Sequence, residues 1–212
     1  MAEIIAGVEI PDTRAVAEAT AFLAETVTPL LYHHSRRVFL FASGHASVTG
    51  LTPDPELLYL AAMFHDTGLV RRFSDVEQRF EVDGADHAEA FLLSRGFSRT
   101  AIETVWNAIA LHTTPGIPGR MGPEIASLNA GVLVDAVAVG LDRLDPDLVT
   151  AAVAAHPRGD FKTGFLHAFH DGLKDRPNTT YGTINADILA HFEPGFRRGD
   201  MVERITESAW PS

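Results

Sequence analysis

The spacing of apolar residues constrains this chain most: they recur every three or four positions along most of its length and seldom alternate as a half-buried strand would. That period selects helices. It predicts them over 12–26, 29–46, 55–66, 84–95, 98–112, 123–141, 146–156 and 160–173, with a shorter run at 183–191. Thr52-Pro53-Asp54-Pro55 stops one helix and starts the next, with Pro55 suited to a first turn. Asp83-Gly84, Arg95-Gly96 and Pro115-Gly116-Ile117-Pro118-Gly119 read as turns or loops. At 212 residues the chain suits one all-α domain, expected over 1–175. Beyond it, in 176–212, turn residues dilute the pattern. Phe192, Phe196 and Trp210 in this C-terminal extension predict that it packs on the domain or on a partner subunit.

Composition narrows the chemistry. There is no cysteine, so disulfides, thiolate metal sites and a cysteine nucleophile are excluded, and any metal must take nitrogen and oxygen ligands. The net charge is −11 and the only lysines are Lys162 and Lys174, which argues against nucleic acid as a partner. No run approaches the roughly 20 apolar residues of a membrane helix. The opening MAEIIAGVEIPDTR lacks the basic and apolar regions of a secretory signal. A cytoplasmic protein acting on a small molecule, with no membrane partner, is therefore expected. The aromatic tail is compatible with a homodimer.

Within this helical pattern, His65 and Asp66 end the run YLAAMFHDTGL, which otherwise reads as core. A carboxylate there needs a partner. Asp135 lies in IASLNAGVLVDAVAVG, with Gly131, Val132, Ala138 and Val139 one turn away, so it too requires neutralisation, by a metal or by an arginine. His34, in LLYHHSRRVFLF, has Leu30, Val38 and Phe41 on its apolar side, whereas His33 points about 100° away. Two histidines and two aspartates at inward or terminal positions of separate helices make a set of the kind that binds metal in helical bundles.

His34 before Ser35-Arg36-Arg37-Val38, then His65-Asp66, then Asp135 in an apolar helix, resembles the HD-domain superfamily of metal-dependent hydrolases. The likeness covers about 30–145. With RFEVDGADHAEAFLLSRGF, VWNAIALHTTPGI and FRRGDMVERITESAW it is similar to the cyanamide hydratase branch. The resemblance implies an all-α helical bundle in which His34, His65, Asp66 and Asp135 surround one divalent ion. Imidazole and carboxylate suit Zn, Fe(II) or Mn, and such an ion activates water near neutral pH. The implied reaction is hydrolysis or hydration of a small molecule, cyanamide or a related nitrile, with Asp66 and His112 assisting catalysis.

His87 and His112 match two further histidines that hold a second metal in some HD proteins, which would favour phosphoester hydrolysis. Alternatively, His112 transfers protons or binds substrate. Many HD phosphodiesterases continue HD-x-G with Lys, and some nucleotidases carry Glu three residues after the Asp; Leu69 stands at that position here. A phosphohydrolase acting on nucleotides stays open because Arg71, Arg72 or Arg79 could meet a phosphate. Glu81 could orient a ligand or simply begin a helix. A third reading is a non-catalytic module stapled by its metal.

Overall fold

A computed structural model describes residues 3–210. A short antiparallel hairpin, β1 (Ile4–Ile5) and β2 (Val8–Glu9), opens the chain and pairs Ile4 with Glu9 and Ile5 with Val8. Its turn residues, Ala6 and Gly7, have φ of 44° and 84°, the left-handed pair that a two-residue hairpin requires. The rest is helical: α1 (Arg14–Thr26), α2 (Pro29–Thr49), α3 (Pro55–Phe64), α4 (Phe80–Leu93), α5 (Arg99–Leu111), α6 (Pro123–Val137), α7 (Pro146–Ala155), α8 (Phe161–Leu173), α9 (Ala186–Phe192) and α10 (Met201–Thr206). The chain is all-α, as the apolar period predicts. Among the described residues no helix is long and apolar enough to cross a membrane.

Four of the helix starts share one device. Pro29, Pro55, Pro123 and Pro146 each occupy the first turn, where the missing N–H costs nothing. Thr28, Asp54 and Asp145 precede three of them and accept hydrogen bonds from the exposed first-turn amides.

Helix α2 runs on to Thr49 rather than 46 and α9 starts at Ala186 rather than 183, and two further boundaries differ from the apolar pattern for a visible reason. Helix α4 starts at Phe80 and runs straight through Asp83-Gly84, which is therefore not a turn. A Cβ at Gly84 would lie 3.0 Å from the His65 carbonyl, so glycine serves there to bring α4 against the end of α3. Helix α6 stops at Val137, not 141, because Ala138 turns left-handed (φ 59°) and its N–H returns to Val134.

Helix α2 crosses the middle of the bundle and packs most extensively on α6; α4 pairs with α5, and α3 lies between them. The main core joins Phe39, Phe41, Tyr59, Phe64, Leu92 and Ile109, among others. A smaller cluster of Leu69, Phe80, Phe169, Leu173 and Leu189 joins α8 and α9 to the turn after α3. The extension begins with Arg176, a buried guanidinium that donates to Asp83, to the Gly68 carbonyl (2.5 Å) and to the Asp75 and Gln78 carbonyls. Further on, Met201, Val202, Ile205 and Trp210 are exposed.

Candidate metal centre

Three helices deliver three imidazoles to one place. His34 lies in α2, while His65 and His112 cap the C-terminal ends of α3 and α5, where unpaired carbonyls favour positive charge. Each ring is fixed through Nδ1: His34 to Asp135 Oδ2 at 2.6 Å, His65 to the Ala62 carbonyl at 2.7 Å and His112 to the Ile109 carbonyl at 2.6 Å. An Nδ1 that faces an oxygen acceptor carries the proton, so in the neutral ring Nε2 keeps its lone pair.

The three Nε2 atoms converge on Asp66. Its Oδ2 is 3.5 Å from His34 Nε2 and 3.2 Å from His65 Nε2, and its Oδ1 is 3.6 Å from His112 Nε2. Nε2 of His34 and Nε2 of His65 are only 3.2 Å apart. Both oxygens of Asp66 are buried without a hydrogen bond, a costly state for a carboxylate. Burial opposes its charge, yet the surrounding His65, His112 and His34 hold its pKa well below the ordinary range. Burial likewise works against a charge on His65, and Asp66 outweighs it, so positive charge is drawn to this point.

Lone pairs and an unmet carboxylate facing one another fit a cation. Donor atoms of His34, His65 and Asp66 all lie within 4.8 Å of one another, as one ion would require. Two imidazoles and a carboxylate suit Zn, Fe(II) or Mn better than a hard oxygen-only ion.

Asp135 stands elsewhere. It was expected among the ligands, with a metal to neutralise it, but its carboxylate lies on the far side of the His34 ring. There Arg37 Nε and Nη2 approach at 2.7 and 2.8 Å, Arg158 Nη1 at 2.5 Å, and His34 Nδ1 occupies the remaining direction. The charge is met by arginines. Burial opposes it, but His34 and Arg37 lower the Asp135 pKa strongly. As placed, Asp135 holds the His34 ring by its Nδ1, the position a carboxylate takes behind a metal-binding histidine.

His87 is also apart from the cluster. Its ring stacks on Phe73 at 4.0 Å and meets Phe22 and Phe64 edge-on, while Nδ1 faces Thr67 Oγ1 at 3.3 Å. It does not line the cavity that contains His34, His65, Asp66 and His112, so the fold does not pair His87 with His112. The arginines considered for phosphate are likewise absent from that cavity. Arg71 and Arg72 are exposed on a surface turn, and Arg79 donates to Glu81 at 2.9 Å.

Glu81 is buried at the first turn of α4 and accepts from Arg79, from Thr113 Oγ1 and from Asn185 Nδ2 (2.8 Å). It thereby links the residue after His112 to the extension. The cavity holds about 770 Å³. His34, His65, Asp66 and His112 line it, with an apolar wall that includes Phe161, Phe165, Phe169 and Ile188.

Residue spacing missed Arg158, Asn185 and the phenylalanines of α8. Only Arg37 left a signal: it lies three positions after His34 and hence on the same buried face.

A family model described as HD domain matches residues 31–188, and no curated protein matches the chain. That span covers well over half of the sequence and carries His34, His65, Asp66, His112 and Asp135. The chain belongs to the HD domain family.

Proposed function

We propose that the protein is a metal-dependent hydrolase or hydratase that adds water to an uncharged carbon–nitrogen or carbonyl centre, with cyanamide and related nitriles as the first candidates. Membership of a superfamily of metal-dependent hydrolases supports the general class. The observation that carries it is the Asp66 carboxylate, unpaired among three Nε2 lone pairs in the wall of a cavity. His34, His65 and Asp66 would hold a divalent ion, which when bound supplies a Lewis acid and a water acidic enough to react near neutral pH.

The chain's own groups supply the rest. Asp135 and Arg37 fix the His34 ring. His112, buried with Nδ1 on the Ile109 carbonyl and Nε2 3.6 Å from Asp66 Oδ1, is placed to take a proton at Nε2 from the attacking water and return it to the substrate nitrogen.

The test is metal content of protein purified without added metal, together with turnover of cyanamide and small nitriles by wild type and Asp66→Ala. One equivalent of metal and turnover in wild type alone are expected. Equal turnover in both proteins would remove Asp66 from the reaction.

A phosphohydrolase of nucleotides has one observation in its favour: Lys162 lines the cavity. A screen of phosphomonoesters and nucleotides separates the two readings, and background rates throughout would exclude the second. The exposed apolar residues of α10 support a homodimer, which sedimentation would test.

A further inference from the structure

We infer that the cavity takes an uncharged substrate in two parts: a head bearing an N–H beside the reacting carbon, accepted by Asn185 Oδ1, and a ring-bearing apolar body seated on Phe161 and Phe165. The inference deepens the hydratase reading and rests on it.

Asn185 is 2% exposed and lines the same cavity as His34, His65, Asp66 and His112. Its Nδ2 donates to Glu81 Oε1 at 2.8 Å. A carboxylate only accepts, so the NH₂ end of the amide is fixed on Glu81 and the other end must be the oxygen. That oxygen, Oδ1, is buried and receives no hydrogen bond among the described residues. An unmet buried acceptor costs about 1–3 kcal/mol. Glu81, itself held by Arg79 and Thr113, keeps the amide from turning to relieve it. A donor from the cavity satisfies it, and an N–H of the substrate is such a donor.

The size of the cavity decides the second part. At about 770 Å³ the cavity far exceeds what cyanamide, with three heavy atoms, can fill. Cavities of this size bury ligands as large as drugs. The rings of Phe161 and Phe165 stack at 4.6 Å, and Phe165 lies 4.7 Å from the ring of His34, so one aromatic wall runs up to the cluster. A substrate ring gains both apolar burial and stacking there. Among the described residues Lys162 is the only lysine or arginine lining the cavity, and it is exposed, so away from the His34, His65 and Asp66 cluster the body of a substrate meets an apolar wall with no buried basic side chain.

An N-substituted cyanamide, R–NH–C≡N, meets both requirements. The water oxygen bonds to the nitrile carbon, one C–N π bond breaks, and both water protons end on nitrogen after the enol-like adduct tautomerises. The product is the urea R–NH–CO–NH₂; nothing is oxidised or reduced.

The experiment is calorimetric binding of benzylurea, of urea and of fully N-methylated benzylurea to wild type and Asn185→Ala, with hydration of cyanamide and N-benzylcyanamide measured in parallel. In wild type, benzylurea should bind about tenfold or more tightly than either comparator, the loss of a hydrogen bond accounting for the N-methyl difference. Asn185→Ala should remove the preference for N–H and leave the preference for the benzyl group, which Phe165→Ala should reduce. Equal binding of urea and benzylurea, or tight binding of the N-methylated compound, overturns the inference. The ligand comparisons use the unaltered chain, so they decide the matter even if a variant fails to fold. No hydration of either cyanamide together with the expected binding pattern would sink the reaction class and leave the recognition intact; hydration without the pattern would do the reverse.

Discussion

Removing the Asp135 carboxylate leaves the guanidinium of Arg37, almost wholly buried, without its partner. Breaking a buried pair from one side costs about 3–5 kcal/mol, so Asp135→Ala should lower the unfolding free energy by that order in urea titrations. Asp135→Leu should fare no better, because the stranded charge is the arginine; wild-type stability in either variant would show that this pair does not hold α6 on α2. Histidine protonation gives a second test at this scale. Burial, helped by Arg72 at His87 and chiefly by Arg36 at His156, pushes both pKa values from the usual 6.5 down to about 4. A depressed folded pKa means that the unfolded chain binds protons first between about pH 6.5 and 4, so stability is present above that window and is lost as pH falls through it. The thermal midpoint should therefore drop between pH 7 and pH 4.5. His87→Phe should reduce the drop, and an unchanged slope would mean that His87 is protonated freely in the folded state.

Two glycines set how closely the elements that carry His34, Asp66 and Asp135 approach their neighbours. Gly68, two residues after Asp66, lies so close to α4 that a Cβ would sit 1.9 Å from the Phe80 carbonyl, and its own carbonyl accepts from Arg176 at 2.5 Å. Gly131 on α6 leaves no room either: a Cβ would lie 2.4 Å from the Val38 carbonyl on α2. Forcing atoms into such contacts costs about 1–3 kcal/mol or more. Gly68→Ala should displace Asp66 and reduce bound metal, measured by metal analysis. Gly131→Ala should separate α2 from α6 and lower the thermal midpoint by several degrees; a wild-type midpoint would show that the helices can part without loss. At this scale the sequence was most legible. Pro55, with Asp54 before it, marked a helix start, because such a signal is local. The start of α4 and the end of α6 were not legible: Gly84 is chosen by the close approach of α3, and Ala138 turns left-handed with no glycine to announce it.

Across the whole molecule, the segment after α8 supports the centre from outside. Arg176 ties four groups around Gly68 and Asp83, Asn185 joins Glu81, and Leu189 completes the second apolar cluster. A chain ending at residue 175 should therefore lose cooperative unfolding or unfold at a much lower urea concentration, whereas one ending at 198, which removes only the exposed α10 and tail, should unfold as wild type does. Similar midpoints for the two truncations would mean that the segment adds nothing. The sequence by itself determined the helical class, most helix limits, and the three residues His34, His65 and Asp66 whose donor atoms meet, because helix period, caps and ligand types are properties of short stretches. Tertiary structure decided the rest. Whether Asp135 faces a metal or two arginines, whether His87 reaches the cavity, and whether Asn185 lies beside residues over a hundred positions away depend on helices crossing in space, and no local pattern of residue types records those crossings.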